Sequence, residues 1–213
     1  MEKRYYVVLC DVISSRRIKD KRTFQKKLET TCTMVNATYS GSIHAGFKIL
    51  KGIDEIEGVL SNISNIYEII AMILEQLYPD SMRFVLVQDS VDIGVESRDT
   101  AKMDGPAFHK ASDLMEDLKK SKLMFDMSTG YELTDTLIAG EINLILLLKK
   151  NWSAKQHMIV REYRNTGNQN EVAKALGITQ QAVSKVLTRS MWKEIGGIEE
   201  RLIHVLHQMT VRT

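Results

Sequence analysis

Residues 169–190, QNEVAKALGITQQAVSKVLTRS, hold two short helical patterns separated by a glycine. The spacing predicts a first helix over Gln169–Leu176, with Ala173 small enough to let a second helix cross close to it. Gly177 stands where the turn needs a left-handed backbone, a conformation that glycine adopts without steric strain. Thr179 is placed to cap the second helix through its hydroxyl, and Val183, Val186 and Leu187 return that helix to a core at three- and four-residue steps. Gln180, Gln181, Ser184, Lys185 and Thr188 are left on the outward face, with Arg189 at its end. Glutamine can bond an adenine edge at two points, and lysine can reach guanine or phosphate. The pattern predicts a helix-turn-helix whose second helix, opened by Thr179, docks on double-stranded DNA. An ordinary helical hairpin with a polar face is the alternative.

Charge is distributed to match. Residues 1–150 carry 20 Lys+Arg against 22 Asp+Glu, a balance of −2, whereas residues 151–213 carry 9 against 5, a balance of +4. The positive excess lies with the two-helix pattern, where phosphate attraction is useful. It is modest, so tight binding calls for two copies of the domain, and a homodimer is expected. Ile195, Ile198, Leu202, Val205 and Met209 alternate steps of three and four, the spacing either of a dimer seam or of a helix packed on its own domain. A helix over Ala154–Tyr163 is expected to complete a three-helix core.

Upstream, the pattern changes. Tyr5–Val12, YYVVLCDV, reads as a buried strand, and Asp20 can cap a helix from Lys21 to about Met34. A strand over 43–50, a turn over Lys51–Glu55 and a return strand over Ile56–Leu60 follow. A helix from about Ile63 to Leu77 stops before Pro79. Arg83–Val87 and Val91–Val95 are short strand candidates, Pro106 opens a helix to about Lys119, and Lys122–Met127 is a further strand. This order predicts an α+β palm-like (ferredoxin-like) domain, an antiparallel sheet with helices on one face. Leu133, Leu137, Ile138, Ile142, Ile145 and Leu148 predict a helix leading to the C-terminal part. The expected boundaries are residues 1–130 for the α+β domain, 131–152 for the connecting helix and linker, and 153–213 for the all-α DNA-binding domain.

Several classes are set aside by composition. The longest apolar-rich stretch, Ile142–Leu148, is far short of the roughly 20 residues that span a bilayer. Met1 runs directly into Glu2, Lys3 and Arg4, so no secretory signal is expected and the location expected is cytoplasmic. Cys10 and Cys32 have no metal-ligand pattern and are expected to be reduced packing residues. Of the five histidines only His204 and His207 stand at a helical i, i+3 spacing, which is expected of surface positions. Arg16, Arg17, Lys19, Lys21 and Arg22 form a basic run after the first strand, which either approaches phosphates near Asp11 or is a solvated loop and helix start. No serine, histidine and acid arrangement suggests a covalent nucleophile, and no catalytic residue is assigned.

Several segments carry a family resemblance: Asp11-Val-Ile-Ser-Ser-Arg16, Phe47-Lys-Ile-Leu-Lys-Gly-Ile-Asp-Glu55, Met103-Asp-Gly-Pro-Ala-Phe-His109, Trp152-Ser-Ala-Lys-Gln156 and the two-helix pattern. Through them the chain resembles the SatD family of bacterial and archaeal proteins, and Trp152–Lys185 also looks like the DNA-binding region of sigma-factor-type domains. More distantly, the N-terminal part resembles the palms of class III nucleotide cyclases and GGDEF proteins. There, a carboxylate ending the first strand and another in a neighbouring hairpin turn hold Mg²⁺ on a nucleotide triphosphate. The resemblance implies Asp11, Asp54 and Glu55 as metal-binding residues, with Mg²⁺ and a nucleotide as the ligand. Three solvated turn carboxylates are the other reading.

The chain also departs from those palms. Ile53 replaces a second glycine, His109 falls where the cyclase pattern has a catalytic asparagine, and Asp113 falls where it has an arginine. An arginine on a phosphoryl group stabilises developing negative charge, whereas an aspartate there repels it. These departures argue against turnover. The main expectation is therefore a DNA-binding transcription regulator whose palm-like domain senses a ligand or supports assembly. The alternative is a Mg²⁺-dependent enzyme acting on nucleotides with an accessory helix-turn-helix.

Overall fold

The computed structural model describes residues 4–211, with Lys51, Thr210 and Val211 described as backbone only. Its contacts divide the chain into two compact units, Met1–Asn143 with Ile203–Thr213, and Leu144–Leu202. The division falls inside a helix. Among the described residues no helix is long and apolar enough to cross a membrane.

The first unit is α+β and is built on β1 (Tyr5–Val12) at the middle of a five-stranded sheet. The other elements are α1 (Lys21–Thr38), β2 (Ile43–Lys51), β3 (Glu55–Leu60), α2 (Ile66–Leu77), β4 (Met82–Asp89), α3 (Pro106–Lys120), β5 (Phe125–Ser128) and α4 (Glu132–Lys150), the last crossing the unit boundary. Strand order is β2-β3-β1-β4-β5. The sheet is mixed, which corrects the expectation of an antiparallel one. β1 to β4 pair antiparallel, but β5 runs parallel to β4, Phe84 opposite Phe125. The helix α3 between those two strands is the crossover that parallel neighbours require.

The expectation of helices on one face is corrected too. Tyr5, Val7 and Leu9 pack with Ala107, Phe108, Ala111, Met115 and Leu118 of α3. The alternate residues Tyr6, Val8, Cys10 and Val12 are as deeply buried on the other face, where the Cys10 thiol lies near Cys32 of α1. Two-sided burial is why YYVVLCDV is a continuous apolar run and not an alternating one. Burial pushes both thiols up, that of Cys32 to about 12, so neither is a ready nucleophile.

Local signals set the helix starts. The Asp20 carboxylate accepts from Thr23 N–H at 3.0 Å, and α1 then continues one turn past the predicted end. Val91–Val95 is not a strand. Only Ile93 bridges, to Asp104, and two 3₁₀ turns fill the rest of the segment before Pro106. Gly94, at φ 76°, packs so tightly that a Cβ would sit 1.9 Å from the Lys102 carbonyl oxygen.

The second unit is helical and takes in α5 (Ala154–Thr166), α6 (Gln169–Leu176), α7 (Gln180–Arg189) and the start of α8 (Trp192–Val211). α5 opens with a capping box between Ser153 and Gln156. Ile159, Val160, Val172, Ala173, Val183 and Leu187 form the core, with Trp152, Tyr163 and Trp192 packed against it. In α8 the apolar positions at three- and four-residue steps divide by burial. In the second unit Ile195 and Leu202 are buried and Ile198 is 38% exposed, while in the part of α8 that belongs to the first unit Leu206 is buried and Val205 is 46% exposed. A straight helix turns 3.6 residues at a time, so alternating steps of three and four drift off a single face unless a supercoil corrects them.

Candidate functional site

Two places collect the residues singled out by the sequence, one in each unit. The first is α7. α6 is capped by Asn168, whose side chain accepts from Asn170 N–H at 2.9 Å, and it ends at Gly177 with φ 64° and ψ 34°. Ile178 N–H then donates to the Ala173 carbonyl at 3.0 Å, closing the turn. The Thr179 hydroxyl accepts from Ala182 N–H at 3.1 Å and starts α7. Thr179 therefore serves the backbone as well as lying at the surface. Val183 and Leu187 face the core, and Gln180, Gln181, Lys185, Thr188 and Arg189 are exposed, with Ser184 half-buried. Two of these are already engaged. Gln180 Nε2 donates to Gln169 Oε1 at 2.6 Å, and Thr188 Oγ1 donates to the Ser184 carbonyl at 3.1 Å. Gln169 is thus part of this surface, although nothing in its spacing singled it out.

The second place is a cleft of about 410 Å³ at the end of β1. Asp11, Asp54, Arg83 and the loop Ser14–Arg17 line it. Pairing between strands brings Glu55 of β3 and Arg83 of β4 to either side of Asp11. Asp11 is already compensated: Lys119 Nζ of α3 lies 2.7 Å from Oδ1, and Arg83 Nη1 lies 3.4 Å from Oδ2. Asp54 is exposed in the turn after Gly52, and its carbonyl accepts from Val12 N–H at 2.8 Å. Asp11 and Asp54 therefore share the cleft, while Glu55 is not part of its lining. Among the described residues no group of three or more His, Cys, Asp or Glu side chains is gathered closely enough to hold a metal ion. His109 contacts Asp104 at 3.1 Å on the surface of α3, and neither it nor the exposed Asp113 lines the cleft.

The SatD family profile matches residues 5–195. The chain belongs to the SatD family. The match runs from β1 into α8, so it takes in both the cleft and the α7 surface of this SatD family member. No curated protein matches the chain.

Arg83, Lys119 and Glu57 were not among the residues expected at the site. Arg83 had a signal, a charged residue inside a strand-like run, but its partner emerges only from the β1–β4 register. Glu57 of β3 lies opposite Leu9 of β1 and Lys48 of β2, and is 8% exposed. Burial, reinforced by Glu55 and opposed by Lys48, pushes its carboxyl up to about 7. Lys48 itself bonds the Asp99 carboxylate, which that contact holds below the usual range.

Proposed function

We propose that this protein is a cytoplasmic, DNA-binding transcription regulator, with α6 and α7 as a helix-turn-helix and the first unit as a palm-like, ligand-sensing domain. The observation that carries this reading is the split of α7. Val183 and Leu187 are used up in the core, while Gln181, Lys185 and Arg189 are exposed with no hydrogen-bond or ion-pair partner among the described residues. A folding role does not call for those three side chains. Base edges and phosphates do. The antiparallel order β2-β3-β1-β4, connected through α1 and α2, supports a palm-like core to which α3 and β5 are additions.

The regulator acts as a homodimer. In support, Leu133 and Leu137 are 75% and 65% exposed in the first unit, and Leu144 and Leu148 are 65% and 39% exposed in the second. These leucines are symmetric about Gly140 and Glu141 in sequence. Antiparallel pairing of two copies of α4 sets Leu133 against Leu148 and Leu137 against Leu144, with exposed Glu132 near the partner copy's last turn, where Lys150 is exposed. Sedimentation of the wild type should give a dimer, and Leu137→Glu with Leu144→Glu a monomer. A monomeric wild type would remove the dimer from the proposal.

The DNA-binding test is selection of bound duplexes from a random pool, followed by titration in salt. A recovered consensus bound with a steep salt slope, lost on changing the α7 surface, is the expected result. Binding that survives removal of Gln181, Lys185 and Arg189 together would mean that α7 is not the reader.

The shared cleft of Asp11 and Asp54 favours a second reading, a Mg²⁺-dependent nucleotide site. Asp11, with Asp54, would hold the ion, and Glu55 would act from the neighbouring strand. Its test is a thermal melt in Mg²⁺ and in EDTA, for wild type and Asp54→Asn. Stabilisation by Mg²⁺ that disappears in the variant is the result it requires.

A further inference from the structure

The cleft at the end of β1 has more donors than acceptors. Ser14 has a left-handed backbone, φ 59° and ψ 36°, and leads directly into the 3₁₀ turn Ser15–Arg17. A left-handed residue followed by right-handed ones turns successive N–H groups to one concave side, an anion-binding nest. Arg17 N–H and Ile18 N–H are used within the turn, on the Ser14 and Ser15 carbonyls. The N–H groups of Ser14, Ser15 and Arg16 find no acceptor among the described residues. Neither do the guanidinium groups of Arg16 and Arg17, and Arg83 Nε is buried without a partner. On the acidic side, Asp11 is already matched by Lys119 and Arg83, which leaves exposed Asp54 as the remaining carboxylate of the lining.

From this arrangement we propose that the cleft binds the phosphate group of a small phosphorylated ligand directly, without a bridging metal ion. A tetrahedral dianion has enough acceptor lone pairs for the nest and the two free guanidinium groups together. The volume, about 410 Å³, suits a small organic phosphate rather than a polymer. A bare dication, by contrast, would have to displace Lys119 from Asp11 and sit among three guanidinium groups. This inference rests on the ligand-sensing part of the proposed function and is independent of DNA binding.

The test is calorimetric titration of the full chain in EDTA at fixed ionic strength. Inorganic phosphate and a nucleoside monophosphate are the probes, with chloride as the control anion. Both phosphates should bind and chloride should not. Tighter binding of the monophosphate would identify an organic ester as the occupant, and equal binding phosphate itself. The double variant Arg16→Ala/Arg17→Ala, at exposed positions that leave the fold intact, should bind at least about tenfold more weakly. Asp54→Asn should bind more tightly, because a repelling charge is gone. Three results would overturn the proposal: no heat with either phosphate, an unchanged affinity in the double variant, or binding that needs Mg²⁺ and is lost in Asp54→Asn. Duplex binding measured on the same samples keeps the two ideas apart. Phosphate binding without DNA binding would leave this site standing and remove the regulator reading.

Discussion

The α7 surface and the β1 cleft are built in opposite ways. On α7 most of the candidate contacts come from ten consecutive residues, so the helix itself sets their spacing. Around the cleft they come from β1, the Ser14–Arg17 loop, the turn before β3, β4 and α3, and each charge is defined by what lies beside it. A site on one helix can lose a side chain without disturbing the next. A site assembled across a sheet changes character when any neighbour changes, because the interaction of charges depends on their separation and their access to solvent.

The largest expected effect tests whether the α7 surface depends on its own small core. Leu187→Ala empties a position that is 6% exposed, at a cost of about 2–5 kcal/mol. A melt should show the C-terminal transition falling while the sheet transition stays. A fall in both by the same amount would break the picture of two separately supported sites.

For the sheet, the probe is Glu57. Its carboxyl is raised to about 7 from an unfolded value near 4.5, so the folded state binds the extra proton. The corresponding stability is present below about pH 4.5 and is lost as pH rises through about 7, by on the order of 3 kcal/mol. Glu57→Gln should therefore stabilise the sheet at pH 8 and flatten its pH dependence between those values. Urea titrations across pH check this, and an unchanged slope would mean that Glu57 is solvated.

Smaller effects sharpen the reading of α7. Gln181→Ala should relax sequence preference by about 1–3 kcal/mol at one base pair, and Gln180→Ala by less, because its amide is already bonded to Gln169. Lys185→Ala and Arg189→Ala should instead weaken all duplexes and lower the salt slope. Equal losses on every sequence from all four variants would turn the surface into a phosphate contact alone. The smallest effect is strain in the turn. Gly177→Val places a β-branched residue at φ 64°, worth about 1–2 kcal/mol in the C-terminal melt, with open space around the new side chain.

Sequence alone determined the parts whose cause is local. The limits of α6, the turn at Gly177 and the caps by Thr179 and Asp20 follow from residues within four positions of one another. So does the buried nature of Tyr5–Val12, since a continuous apolar run declares that both of its faces will be covered. Which elements cover them was not legible. Only the tertiary structure made the sheet mixed, through the crossover to β5, and put α3 on the face opposite α1. It also divided the apolar positions of α8 by burial and left Val91–Val95 with a single bridge, at Ile93, in place of a strand. The cleft shows the reason most clearly. Asp11 could be picked out as a carboxylate ending a strand, but Arg83 and Lys119 stand 72 and 108 residues away in sequence. Their approach, which decides the charge of the site, depends on strand register and helix packing that no local pattern records.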